Sequence, residues 1–189
     1  MNVYDFDKTI YDGDSTIDFY LFELKRNPKV LFNFPKQILG FVLYKVKIFS
    51  KEKYKSYFYS YFKKIKDIDK EMTLFWKENK FKIKKWYINQ HEESDVIVSA
   101  SAEFFLKKIK AHLNVDIIAS EVDKSTGKCL SKNCFAEEKV ERFRKKYGAK
   151  AIKSFYTDSL SDLPLARIAE EFYLVKKDKI IKQEKRSCL

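Results

Sequence analysis

Asp5 and Asp7 stand two apart in the run DFDKT, where the first apolar stretch, Met1 to Tyr4, ends. Side chains alternate along a strand, so both carboxylates can leave its carboxyl end in the same direction. Two like charges about 4 Å apart, at an effective dielectric of about 20, repel by about 4 kcal/mol. Such a pair shares a proton or takes up a divalent cation. Either arrangement begins a catalytic site. Acidic pairs after strands also cap helices or stand in solvent, so the reading needs further residues.

Three more pieces supply them. VIVS, from Val96 to Ser99, is a short β-branched stretch ending in a hydroxyl. IKSFYTD, from Ile152 to Asp158, is an apolar stretch ending in a carboxylate, and it runs on as DSLSDLPL with Asp158 and Asp162 four apart. Between them, CFAEEKV sets Lys139 near the start of an amphipathic stretch whose apolar positions include Val140 and Phe143. Three expected strands therefore end in polar residues, with a lysine at hand. Sites of open α/β sheets gather at the carboxyl ends of the strands.

The elements that must position these residues read as α/β. Strands near 1–5, 95–99, 115–119, 152–157 and 172–175 alternate with helical stretches after residue 99, which means a mainly parallel sheet with helices on its faces. A chain of 189 residues with 45% hydrophobic content is long enough for one core and a smaller insert. Residues 1–14 and 91–189 are expected to form the core, and residues 15–90 an all-helical insert. Within the insert, helices are expected near 15–27, 29–49, 51–66 and 69–90, with Pro28 and Pro35 punctuating the first half.

The insert concentrates the charge. Residues 21–90 hold 18 Lys and Arg against 6 Asp and Glu, while the remainder balances at 21 against 21, so the whole net charge of +12 sits there. The same segment carries 17 of the 31 aromatic residues. A basic, aromatic surface suits an anionic substrate, an anionic membrane or a nucleic acid, and composition leaves all three open. Val30 to Phe49 is unusually apolar, yet Lys36, Lys45 and Lys47 interrupt it and its longest uncharged run, Gln37 to Tyr44, is eight residues. That is too short to span a bilayer and suits an interfacial helix.

Taken in order, DxDxT, a strand-terminal Ser, a Lys and DSxSD resemble the haloacid dehalogenase superfamily of phosphohydrolases over the chain outside residues 21–90. The catalytic half resembles its subfamily IB, the phosphoserine phosphatase branch, and IIAS (Ile117 to Ser120), Gly127, Cys134 to Val140 and YTDSLSDLPL are similar to that branch's C-type phosphatidylglycerophosphatases. The resemblance implies a Rossmann-like core, the insert as a cap over the substrate, and Mg²⁺-dependent phosphomonoester hydrolysis through an aspartyl-phosphate. It implies Asp5 as nucleophile, and Asp7 as the acid for the leaving oxygen and then the base for water. It assigns phosphate oxygens to Ser99 and Lys139, and Mg²⁺ to Asp5, the backbone carbonyl of Asp7 and Asp158, with Asp162 behind them on a bound water. Thr9 joins the phosphate-binding group, as a hydroxyl donating into the site or steadying its turn. Asp14 falls where the branch has an acid facing the substrate. The branch's cap arginine has one counterpart, Arg26. The implied substrate is a lipid phosphate such as phosphatidylglycerophosphate at the membrane surface, or a soluble metabolite such as phosphoserine. A non-catalytic nucleic-acid-binding module is the remote alternative.

Other polar residues carry simpler expectations. Ser101 is expected to cap a helix beginning near Ala102, which leaves the phosphate to Ser99. His91 and His112 are isolated, with no second ligand at metal spacing. Cys129, Cys134 and Cys188 are odd in number and form no C-x-x-C pair, which favours reduced thiols in a cytoplasm. Gly127 marks a turn between short strands at 121–123 and 128–130. No signal peptide precedes Asp5, so the expected location is the cytoplasm, peripheral to the inner face of a membrane.

Overall fold

Alternate residues of the apolar strand runs face opposite ways, and helices cover both faces of the sheet they build. A computed structural model describes residues 1–184; Cys188 lies outside them. In chain order the elements are β1 (Asn2–Tyr4), α1 (Ser15–Arg26), α2 (Phe34–Lys45), α3 (Lys51–Phe58), α4 (Ile68–Asn79), α5 (Lys85–Gln90), β2 (Val96–Ala102), α6 (Glu103–Leu113), β3 (Asp116–Ser120), α7 (Glu137–Tyr147), β4 (Ile152–Thr157), α8 (Leu163–Arg167), β5 (Ala169–Lys176) and β6 (Lys179–Gln183). The sheet order is β3-β2-β1-β4-β5-β6. All neighbours are parallel except the β5–β6 pair. The fold is the Rossmann-like α/β architecture expected from the sequence.

Period-two alternation sorts the core. Val3, Val96, Val98 and Ile118 point to one face, where Phe143 of α7 and Leu165 of α8 cover them. Tyr4, Ile97, Ile117 and Ala119 point to the other, against Leu106 and Ile109 of α6 and a set of aromatics from the helices between β1 and β2. Phe19, Phe75, Trp76 and Tyr87 belong to that set. The Trp76 indole donates to the Phe105 carbonyl at 3.0 Å. Many insert aromatics therefore serve a core shared with the sheet.

The prolines break the helix expected over 29–49, into a 3₁₀ turn at Pro28–Asn33 followed by α2, because Pro35 fits only the first helical turn. Two other expected helices need correction. The one expected over 51–66 ends at Phe58 and tightens into a 3₁₀ stretch, Tyr59–Lys64. The one expected over 69–90 breaks between α4 and α5, where Ile83 forms a β-bridge with Tyr11 and the Lys84 amide donates to the Ile10 carbonyl. β6, an exposed edge strand, was not expected. At Gly127, φ is +73° and an added Cβ would lie 2.1 Å from the Tyr59 carbonyl oxygen, so glycine is required there. Its hairpin reduces to one bridge, Val122 with Cys129.

One buried carboxyl makes this core pH-sensitive. Glu23 of α1 is 1% exposed, and its Oε1 has no hydrogen-bond partner. Burial, reinforced by Glu71 and opposed by Arg26, pushes it from 4.5 up to about 7. The folded state therefore binds a proton that the unfolded chain releases, so stability is full below 4.5, falls as pH rises toward 7, and then levels. Glu23→Gln should raise Tm by roughly 3 °C at pH 8 and leave it unchanged at pH 4, in scanning calorimetry. Equal effects at both pH values would show that the ionised carboxylate is not what strains the core.

Candidate active site

Every strand-terminal residue singled out by the sequence opens on one cavity of about 400 Å³ at the carboxyl edge of the sheet. β1 ends into Asp5, the Asp5–Lys8 turn follows, β2 carries Ser99, and β4 ends into Asp158. Lys139 arrives from the first turn of α7 and Asp162 from the 3₁₀ turn Leu160–Asp162. The opposite wall comes from α1 and α3, with Ile17, Lys51, Tyr54, Lys55 and Phe58.

The floor is an ion-pair chain. The Lys139 ammonium donates to Asp5 Oδ1 and Asp162 Oδ2, both at 2.7 Å, and is 2% exposed. Burial alone would lower Lys139, but the charges of Asp5 and Asp162 outweigh it and keep it protonated. Burial drives Asp5 above the ordinary carboxylate range, and Lys139 pulls it back. Asp162 also accepts from the Thr157 hydroxyl at 2.9 Å.

Asp7 is held separately. Its Oδ1 accepts from the Ser15 amide at 2.6 Å and its Oδ2 from the Ser101 hydroxyl at 2.5 Å. Burial and then the charge of Asp14 raise its pKa, while those hydrogen bonds oppose the rise. A carboxyl whose pKa is raised is better suited to donate a proton. Asp14 lines the cavity and also caps α1, accepting from the Ile17 amide at 3.1 Å.

Two expected roles change. Ser101 does not cap α6: that helix starts at Glu103 behind Ala102 with no side-chain cap, and Ser101 instead serves Asp7. The N-cap position falls on Ala102, one residue past Ser101, which leaves the Ser101 hydroxyl free to donate to the carboxylate. Ser99 lines the cavity, and its Oγ accepts from the Ser101 amide at 3.1 Å. Thr9 is fully buried and does not line the cavity, so it is not placed to touch a phosphate. Its hydroxyl donates to Asp5 Oδ2 at 3.4 Å and accepts from the Asp158 amide at 2.9 Å, tying two strand ends together. Arg26 pairs with Glu71 and takes no part in the cavity.

A hard divalent cation fits the donor set. Asp5 and Asp158 offer carboxylate oxygens to one cavity, and burial raises the pKa of each, as expected of acids awaiting a compensating charge. Among the described residues no cluster of three His, Cys, Asp or Glu side chains could hold a metal. The expected set needs only two, with the Asp7 carbonyl as third donor.

Lys51, Lys55 and Lys84 were missed, since each reads as one lysine among many in the insert. The Lys55 ammonium donates to the Ala100 carbonyl at 2.6 Å and Asn133 Oδ1 at 2.7 Å, latching α3 to the core. Burial lowers it to about 8. Lys51 lies over the Phe135 ring at 3.3 Å. Lys84 is buried and donates to the carbonyls of Lys8, at 3.0 Å, and Lys177, at 2.5 Å. Lys8 follows Asp7 with φ +60°, so this ammonium, together with the Gly13 carbonyl that takes the Lys8 amide at 2.8 Å, holds the turn after the aspartate pair. Lys84→Met should raise amide exchange across residues 5–12 by about tenfold or more while sparing β4, and Lys84→Arg should restore protection. Unchanged exchange in Lys84→Met would remove Lys84 from this role.

Comparison with known proteins agrees with this geometry. The haloacid dehalogenase-like hydrolase family matches residues 3–167. Among solved structures, the chain is similar to a protein of unknown function from Bordetella pertussis Tohama I, with 16% identity, TM-score 0.71, and 91% of this chain and 87% of that chain covered. It is also similar to a phosphoserine phosphohydrolase-like protein from Francisella tularensis subsp. tularensis SCHU S4, with 16% identity, TM-score 0.52, and 91% and 86% covered. At that identity the likeness is one of fold. No curated protein matches the sequence significantly. A family match spanning most of the chain, with the paired aspartates, Ser99, Lys139 and Asp158 on one cavity, makes the chain a member of the haloacid dehalogenase-like hydrolase family.

Proposed function

We propose that the chain is a Mg²⁺-dependent phosphomonoester hydrolase of subfamily IB that works through an aspartyl-phosphate on Asp5. The observation that carries this reading is the Lys139 ammonium shared between Asp5 and Asp162 beneath a cavity that Asp7, Ser99 and Asp158 also face. Asp5, Asp158 and the Asp7 carbonyl would hold the cation, which when bound neutralises their mutual repulsion and the charge on the phosphoryl oxygens.

The residues divide the work in two steps. An Asp5 carboxylate oxygen attacks phosphorus, and the bond from phosphorus to the substrate oxygen breaks as Asp7 gives that oxygen its proton. Asp7, now ionised, takes a proton from a water whose oxygen attacks the aspartyl-phosphate, freeing phosphate and restoring Asp5. Ser101 and the Ser15 amide hold Asp7 in place through both steps. Lys139 holds Asp5 and, with Ser99, meets phosphate oxygens. Residues 1–14 and 91–184 supply this chemistry, and the helices of 15–90 cover it as a cap.

The substrate reading favours a lipid phosphate such as phosphatidylglycerophosphate, met at the inner face of a membrane. Ile17, Tyr54, Phe58 and Phe135 give the cavity an apolar side above its charged floor. Phosphoserine is the alternative, and the engagement of Arg26 with Glu71 leaves it without that carboxylate partner. A nucleic-acid module with an idle core is set aside, because the catalytic positions converge on one cavity.

Purified protein should hydrolyse an aryl phosphate only with Mg²⁺ or a similar small divalent ion, and Asp5→Asn should lower turnover roughly a thousandfold or more while remaining folded. Full activity in that variant, or in excess chelator, overturns the mechanism. Asp7→Asn separates the steps. An aryl leaving group needs little acid, whereas water still needs a base, so intact-mass measurement after rapid quench should show one added phosphate accumulating. Lost turnover with no added mass would sink the division of labour between the two carboxylates.

A further inference from the structure

α2 is built inside out. Its only buried residues are Gln37 and Gly40, while Phe34, Ile38, Phe41 and Val42 lie about half exposed. Phe34, Ile38 and Phe41, spaced i, i+4, i+7, form one stripe, and Leu39, Val42 and Val46 widen it on one side. The inward contacts of α2 combine a polar and a small residue with aromatic packing of Phe41 and Tyr44 on Tyr54 of α3. Gln37 accepts from the Tyr20 hydroxyl at 3.0 Å and donates to the Phe58 carbonyl at 2.9 Å. Gly40 lets the helices approach until an added Cβ would lie 2.5 Å from Tyr57 Cβ. A helix held inward through Gln37, Gly40 and the Tyr44–Tyr54 stack leaves most of its apolar side chains to solvent. The turns at both ends extend the patch, with Phe32 78% and Ile48 67% exposed. A continuous apolar surface of this kind marks a docking site.

Charge selects the occupant. No acidic residue occurs between Glu23 and Glu52, whereas Lys25, Arg26, Lys29, Lys36, Lys45, Lys47 and Lys51 do. Lysines beside exposed aliphatic and aromatic side chains match a surface that is anionic outside and apolar just beneath. No helix among the described residues is long and apolar enough to cross a membrane. The patch also reaches the cavity: Tyr54, in its wall, stacks on Tyr44 of α2 with ring centroids 5.2 Å apart, and Ile17, 42% exposed, lines the cavity one helical turn from exposed Leu21.

We propose that the Pro28–Ser50 segment is a peripheral docking surface for an anionic lipid bilayer, lying in the interface with the cavity mouth beside it. The proposal deepens the lipid-phosphate reading by naming the surface that would hold the enzyme at its substrate. It stands on exposure and charge and does not need turnover.

Flotation with phosphatidylcholine vesicles containing roughly 30% phosphatidylglycerol tests it. The wild-type protein should float with these vesicles at low salt and stay free of pure phosphatidylcholine, and high salt should weaken binding only in part, because screening leaves the apolar contribution. Phe32→Asp, Val42→Asp and Ile48→Asp together should lower partitioning at least about tenfold, with circular dichroism and aryl phosphate turnover within about twofold of wild type. Replacing Lys36, Lys45 and Lys47 with Gln should weaken binding to anionic vesicles several-fold. Wild-type protein that stays free of anionic vesicles, or binds neutral ones equally, overturns the proposal. So does a solution dimer that the triple Asp variant dissolves, since the face would then belong to a second copy. Inactive wild-type protein that still floats would retire the proposed function and leave the docking surface standing.

Discussion

The ammonium of Lys139, 2.7 Å from both Asp5 and Asp162 and almost wholly out of water, fixes where the strand ends can be. Removing one member of a buried charge pair typically costs about 3–5 kcal/mol, since the survivor is left unpaired. Lys139 also stands in the first turn of α7, where the helix dipole disfavours a cation. Glu137 and Glu138 beside it, and the two aspartates ahead of it, offset that placement. Arg142 then fastens the helix, bonding the Ala119 and Lys132 carbonyls and Glu138. A chain of polar contacts thus runs from the edge of β3 to the central strand, and it leaves Asp7 outside. That separation lets Asp5 be paired with a lysine while burial and the charge of Asp14 raise the pKa of Asp7.

What was legible in the sequence was whatever depends on alternation and strand ends. β-branched and apolar runs ending in Asp5, Ser99 and Asp158 located three strands. What was not legible depends on partners distant in sequence. Ser101 reads locally as a helix cap, and only the fold brings Asp7, 94 residues away, within reach. Thr9 reads as one more polar residue of the motif, and only the return of β4 makes it a bridge to Asp158. β6, KIIKQ, was overlooked because its residues are exposed on both sides and its pairing to β5 leaves little hydrophobic signal.

The same limit explains the helices of the insert. Residues 80–84 continue a helix-compatible sequence, yet the loop after β1 claims their backbone groups: Asp12 donates to the Lys82 carbonyl, Tyr11 bridges Ile83, and the Ile10 carbonyl takes the Lys84 amide. Tertiary pairing overrides local propensity here. The insert is therefore joined to the active-site loop by hydrogen bonds as well as by sequence, and α1 begins from Asp14 at the rim of the same cavity. A displacement of α5 would be felt at Lys8.

Two non-glycine residues beside the site adopt positive φ: Lys8 at 60°, after Asp7, and Ala136 at 50°, three residues before Lys139. Ala136, with ψ near −121°, lies outside the left-handed well where such residues are tolerated. Conformations of this kind persist only where neighbours over-determine them. At Lys8 the neighbours are the Lys84 ammonium on its carbonyl and the Gly13 carbonyl, to which its amide donates at 2.8 Å. At Ala136 the neighbour is the first turn of α7, whose Lys139 amide donates to the Ala136 carbonyl while its side chain is drawn to Asp5. The strain on both sides is directed at the same carboxylate pair. The two positive-φ residues flank the Asp5–Lys139 pair from either side, so the turns that present Asp7 and Lys139 and the ion pair in the floor belong to one arrangement.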